Sequence, residues 1–105
     1  MIYFESDKSA KGWFAGPWNS KLEIAVGYAN QGINEKHYHS DMNEVYLVAK
    51  GESLAEVEGK QVKLKVGDIL VVEPGEKHTF VSSSEDYFYF VIHTPFKKGD
   101  KTLLN

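Results

Sequence analysis

The chain contains no cysteine among its 105 residues, which excludes disulfide staples and thiolate metal sites. It has no excess of positive charge: 12 Lys and Arg against 15 Asp and Glu leave a net charge of −3. That balance lacks the broad basic surface that nucleic-acid binding needs. No apolar stretch is long enough to span a bilayer, so no membrane partner is expected. The opening residues, Met1 to Asp7, show no basic region followed by an apolar run. A secretory leader is therefore not expected, and a cytoplasmic location is the default. There is no sustained helical period, no long repeat, no P-loop, no dinucleotide fingerprint and no Ser-His-Asp arrangement. Histidine is scarce as well, with four in the chain.

What is present is short, alternating and punctuated. An apolar share of 42% is ordinary for a folded chain of one domain. Turn signals recur at Gly51, Gly59-Lys60, Gly67-Asp68, Pro74-Gly75 and Ser82 to Ser84. Val62, Leu64 and Val66 alternate with Lys63 and Lys65, and Leu22, Ile24, Val26 and Tyr28 alternate in the same way. Each pattern predicts a half-buried strand. Ile69 to Val72 is a continuous apolar run, expected to be buried on both faces. Tyr87 to His93 is too aromatic and β-branched for a helix. Many short strands predict an all-β, single-domain barrel or sandwich. Residues 1–20 read as an N-terminal arm, irregular or forming a first strand over a barrel mouth, 21–96 as the barrel and 97–105 as a polar tail. Trp13 and Trp18, in the arm, read as packing residues or as a lid over a barrel mouth.

The chemistry gathers at His37-Tyr38-His39, Glu44 and His78. Side chains alternate along a strand. A strand over residues 36–40 therefore points both histidines to one face, about 7 Å apart at Cα. A turn through Ser40 to Asn43 brings Glu44 back beside them, at the head of a strand from Val45 to Ala49. His78 must arrive from another strand. Three imidazoles and a carboxylate are the right number and kind of ligands for one divalent ion, and suit Fe, Mn, Ni, Zn or Cu. HxH alone also fits two polar surface residues. The ordered set of four is what points to a metal.

These residues resemble the motifs of the cupin family. Gly32, His37-Tyr38-His39, Glu44 and Gly51 are similar to the first motif, and Gly67, Pro74-Gly75 and His78 to the second. Gly32 sits one residue closer to the HxH than usual, Glu73 stands at a customary proline and Ser82 at a customary asparagine. No ligand position is lost. The resemblance, over residues 32–82, implies a cupin-type jelly-roll β-barrel with His37, His39, Glu44 and His78 as metal ligands. It also implies a range of activities, from dioxygenases, isomerases, epimerases, decarboxylases and lyases to proteins without catalysis, and frequent pairing as a homodimer.

Two further residues are candidates for catalysis. Tyr46 shares the inward face with Glu44, and can donate a hydrogen bond to a ligand or simply pack. His93 enters the cavity if Tyr87, Tyr89, Val91 and His93 share a face, as an orienting group or proton carrier. A divalent ion with neutral imidazoles and one glutamate leaves +2 − 1 = +1, which favours an anionic, oxygen-rich ligand. The expected function is a metalloenzyme acting on such a small molecule. The alternative is a metal- or metabolite-binding module without turnover.

Overall fold

The computed structural model describes residues 1–104. Ten strands run in chain order: β1 Lys11–Ala15, β2 Ala25–Ala29, β3 His37–Tyr38, β4 Asn43–Lys50, β5 Glu52–Val57, β6 Lys60–Lys65, β7 Ile69–Val72, β8 His78–Ser83, β9 Phe88–Thr94 and β10 Thr102–Leu103. They form two antiparallel five-stranded sheets, β1-β2-β9-β4-β7 and β10-β3-β8-β5-β6. The two sheets close into the all-β jelly-roll arrangement anticipated from the strand pattern. Among the described residues no helix is long and apolar enough to cross a membrane.

Alternation decides what faces inward. In β4, Glu44, Tyr46 and Val48 are buried while Val45 and Leu47 are half-buried on the outer face. In β9 and the residue before it, Tyr87, Tyr89, Val91 and His93 are all buried, so they do share a face. Tyr46, Val48, Ala55, Leu64, Val72, Phe80, Tyr87, Tyr89 and Val91 form one packed cluster between the sheets. Its aromatic members meet edge-on, stacked or tilted, with Phe80 and Tyr89 rings 5.8 Å apart and Phe80 and Tyr46 5.1 Å apart. This plug fills one end of the sandwich, and the histidines occupy the other. The β5–β6 hairpin turns on Glu58 and Gly59, both with positive φ (49° and 79°). That is the backbone of a two-residue turn whose twist matches its strands.

Within the arm, residues 11–15 form a first strand, β1, hydrogen-bonded to β2. Three expectations change. Part of the supposed tail is β10, paired with β3, while Asn105 lies outside the described residues. The second strand starts at Ala25, and its cavity face is Ala25, Gly27 and Ala29 rather than Val26 and Tyr28. Tyr28 is buried on the opposite face, stacked on Phe14 with ring centres 4.2 Å apart and hydrogen-bonded to Ser6 and Asp7 of the arm. Finally, Ile69 and Val71 are 62% and 49% exposed. β7 is an edge strand with one face in the core, because only β4 pairs with it.

Candidate metal centre

β3 is only two residues long, and His37 lies directly opposite His78 in the ladder with β8. His39 follows just beyond the strand end. Glu44 stands in a row with His93 on one side and Val72 on the other, and Ala25 completes the row on β2. His37, His39, Glu44 and His78 are all buried, and each offers a ligand atom within 4.8 Å of the others.

The backbone sets the histidine tautomers. Nδ1 of His37 donates to the Glu35 carbonyl at 2.7 Å, Nδ1 of His39 to the Asp100 carbonyl at 2.5 Å, and Nδ1 of His78 to the Glu76 carbonyl at 3.0 Å. A carbonyl accepts only, so each Nδ1 carries a proton, and each ring, when neutral, turns a lone pair at Nε2 inward. Those of His39 and His78 meet a carboxylate, which when ionised also only accepts. Glu44 Oε1 is 2.9 Å from His78 Nε2 and 3.4 Å from His39 Nε2. His39 Nε2 has no hydrogen-bond partner although it is buried. Acceptors facing acceptors in a buried site are costly unless a proton or a metal cation lies between them. The donor set therefore fits a divalent transition metal by its own chemistry.

Glu44 is tied from every side. Its Oε1 also accepts from the Tyr46 hydroxyl at 2.5 Å, and its Oε2 pairs with His93 Nε2. Burial alone would raise the Glu44 carboxyl, but the imidazoles of His39, His78 and His93 packed against it hold it well below the usual range. Burial, together with the neighbouring Glu44 charge, pushes the Tyr46 hydroxyl well above its usual value, so it stays a donor. Burial brings the His37 ring down to about 4, against a smaller opposing pull from the Glu35 carbonyl. For His39 burial pulls down, but Glu44 and the Asp100 carbonyl outweigh it and raise the ring.

The cluster opens into a cavity of about 420 Å³. Its walls include Ala29, Ile33, Tyr89 and Val91, with Lys11 and Lys101 among its lining residues. Trp13 lines it too, 44% exposed, with its ring 4.3 Å from that of His93. The glycine at position 27 lets the indole lie so close to β2: a Cβ there would fall 2.9 Å from the Trp13 ring and 2.4 Å from the Gly12 carbonyl. Trp18 is elsewhere, packed edge-on against Phe96. The structure thus brings all four expected ligands together, with Tyr46 and His93 both on Glu44. Asp100 and the carbonyls of Glu35 and Glu76 carried no sequence signal, because a backbone acceptor has no residue type.

Fold and site together define a small β-barrel with a histidine–carboxylate centre at one end. Residues 25–94 match the family described as the cupin domain, and the chain belongs to that family. The fold is shared with Pac13 from Streptomyces, a nucleoside dehydratase, at 13% identity and a TM-score of 0.73, covering 100% of this chain and 92% of that one. KdgF from Halomonas sp. aligns at 16% identity and a TM-score of 0.67, covering 92% and 89% of the two chains. An uncharacterized protein with a double-stranded β-helix domain from Klebsiella pneumoniae aligns at 25% identity and a TM-score of 0.63, covering 78% and 73%. No curated protein matches the sequence.

Proposed function

We propose that this cupin is a metalloenzyme that binds one divalent transition metal and acts on a small, anionic, oxygen-rich metabolite. His37, His39, Glu44 and His78 hold the metal, which is iron, manganese, nickel, zinc or copper. The convergence of buried lone pairs on Glu44, with His39 Nε2 left unpartnered, carries the reading. When bound, the metal supplies Lewis acidity or activates dioxygen. The carbonyls behind each ring aim Nε2 into the centre. Tyr46 orients Glu44, and His93 shares the other carboxylate oxygen while its ring lines the cavity, where it relays a proton to or from the ligand. The net +1 of metal and glutamate, with Lys11 and Lys101 in the cavity lining, favours an anion.

Elemental analysis of protein purified without added metal tests the site, with His39→Ala alongside. One metal per chain, lost in the variant, is expected; equal traces in both would end the proposal. Titration of loaded protein with carboxylates and their neutral analogues tests the ligand class, and equal affinities would refute it. A binding module without turnover is the second reading. It is favoured by one observation: both candidate acid–base groups, Tyr46 and His93, are already bonded to Glu44. Binding without consumption across a panel of small acids would decide for it.

We also propose that the chain pairs with a second copy through the outer face of the β1-β2-β9-β4-β7 sheet. Val45, Leu47, Ile69, Val71, Phe90 and Ile92 lie on that face, in register across three strands. An antiparallel sheet with one solvated face would alternate apolar with polar residues there.

A further inference from the structure

Residues 97–104, which the sequence marks only as a polar tail, return across the end of the sandwich that holds the histidines. β3 is too short to be held by one neighbour. It meets β8 at a single pair, His37 with His78, and on its other edge β10 supplies Thr102 opposite Tyr38 and Leu103 opposite His37. The Leu104 amide donates to the Lys36 carbonyl at 3.0 Å, extending that edge.

Asp100 makes the more telling contacts. Its Oδ1 accepts from the Ser40 amide at 2.8 Å, and its Oδ2 from the amides of Asp41 and Met42 at 2.9 and 3.0 Å. Three successive N–H groups around one carboxylate form a concave anion nest. Bonds to an ionised acceptor are about twice as strong as neutral ones. Ser40 to Met42 belong to the link between two candidate ligands, His39 and Glu44. The carbonyl of the same Asp100 accepts from His39 Nδ1. One residue thus fixes both the ring of one ligand and the loop that sets its distance to the next.

We propose that Asp100 is a positioning residue of the metal centre: its carboxylate clamps Ser40 to Met42, and the clamp keeps its carbonyl against His39 so that Nε2 points inward. Its effect on metal affinity rests on the metal-site reading given above. Its hold on the His39 tautomer does not.

The test compares Asp100→Ala and Asp100→Asn with Asp68→Ala. Asp68 accepts from the Lys65 amide at 2.9 Å in the β6–β7 turn, a similar cap without a ligand beside it. Affinity for Co(II), used as a spectroscopic probe, is measured by chelator competition, and the histidine tautomers of metal-free protein by 15N NMR. Loss of outer contacts to ligating histidines weakens metal binding by about 10- to 100-fold. That loss is expected for Asp100→Ala, with a smaller loss for the near-isosteric Asp100→Asn. Asp68→Ala should melt at a lower temperature and keep full Co(II) affinity. In the NMR spectra, His39 should be Nδ1-protonated in the wild type and a tautomer mixture in Asp100→Ala. An Asp100→Ala protein with wild-type affinity and an unchanged His39 tautomer would overturn the proposal. If that variant does not fold, Asp100→Asn decides by the same two readouts. If the wild type binds no Co(II), the metal reading fails, and the tautomer alone decides whether Asp100 holds His39.

Discussion

Acidification should loosen the metal-free protein through His37 in particular. In the unfolded chain this ring titrates at an ordinary 6.5, whereas in the fold burial lowers it to about 4. Between these values the unfolded chain binds a proton that the folded one refuses, so stability is full above pH 6.5 and falls as pH drops toward 4. At about 1.36 kcal/mol per pH unit, the limiting loss is about 3 kcal/mol, most of it spent by pH 4.5. Other shifted groups act outside this window. His39 is raised, so its contribution is present below pH 6.5 and fades above it. Glu44 is depressed, so its contribution persists until the pH falls below the ordinary carboxylate range. Urea unfolding of chelator-treated protein from pH 7.5 to 4.5 measures the slope. His37→Gln, which cannot take up the proton, should lose about 2 kcal/mol of that pH dependence. A wild-type profile that is flat across the window, or one that His37→Gln reproduces, would refute the reasoning.

Further outcomes follow from packing and surface. Phe80→Ala empties a site walled by Tyr46, Tyr87 and Tyr89 and should cost about 3–5 kcal/mol in chemical denaturation. Tyr46→Phe removes the hydroxyl donor to Glu44 and should cost about 1.5–3 kcal/mol in metal-free protein, as for other bonds to charged groups; no loss would mean that the bond is idle. Gly27→Val drives a side chain into the Gly12 carbonyl and the Trp13 ring, so in a Trp18→Phe background the remaining indole emission should shift to the red. Sedimentation equilibrium should give a dimer for the wild type and a monomer for Phe90→Lys; a monomeric wild type removes the pairing proposal. Metal at 100 times its dissociation constant should add about 2.7 kcal/mol of stability, and no change in melting temperature would argue against binding.

Much of the site was legible because the relevant spacings are local. A period of two put His37 with His39 and Glu44 with Tyr46, and the run from Tyr87 to His93 kept its inward face through to His93. The candidate ligand set needed only that His78 arrive from elsewhere, and β8 delivers it opposite His37. The illegible parts were those where alternation is a two-sided question. Val26 and Tyr28 alternate as well as Ala25, Gly27 and Ala29 do, and the small residues took the cavity side because Trp13 and His93 already crowd it. Ile69 and Val71 are as apolar as core residues, yet they lie on the open face of an edge strand.

The sequence by itself settled which side chains could bind a metal and that strands would carry them, since residue chemistry and strand periodicity act within a few positions. The tertiary structure alone decided that a carbonyl at residue 100 orients a histidine at 39, that Trp13 sits beside the cavity and Trp18 does not, and that every histidine but His37 meets a single glutamate oxygen pair. Those outcomes depend on which distant backbone segments lie side by side. Backbone acceptors look alike in every residue, so only the closed fold can say which one a ring will find.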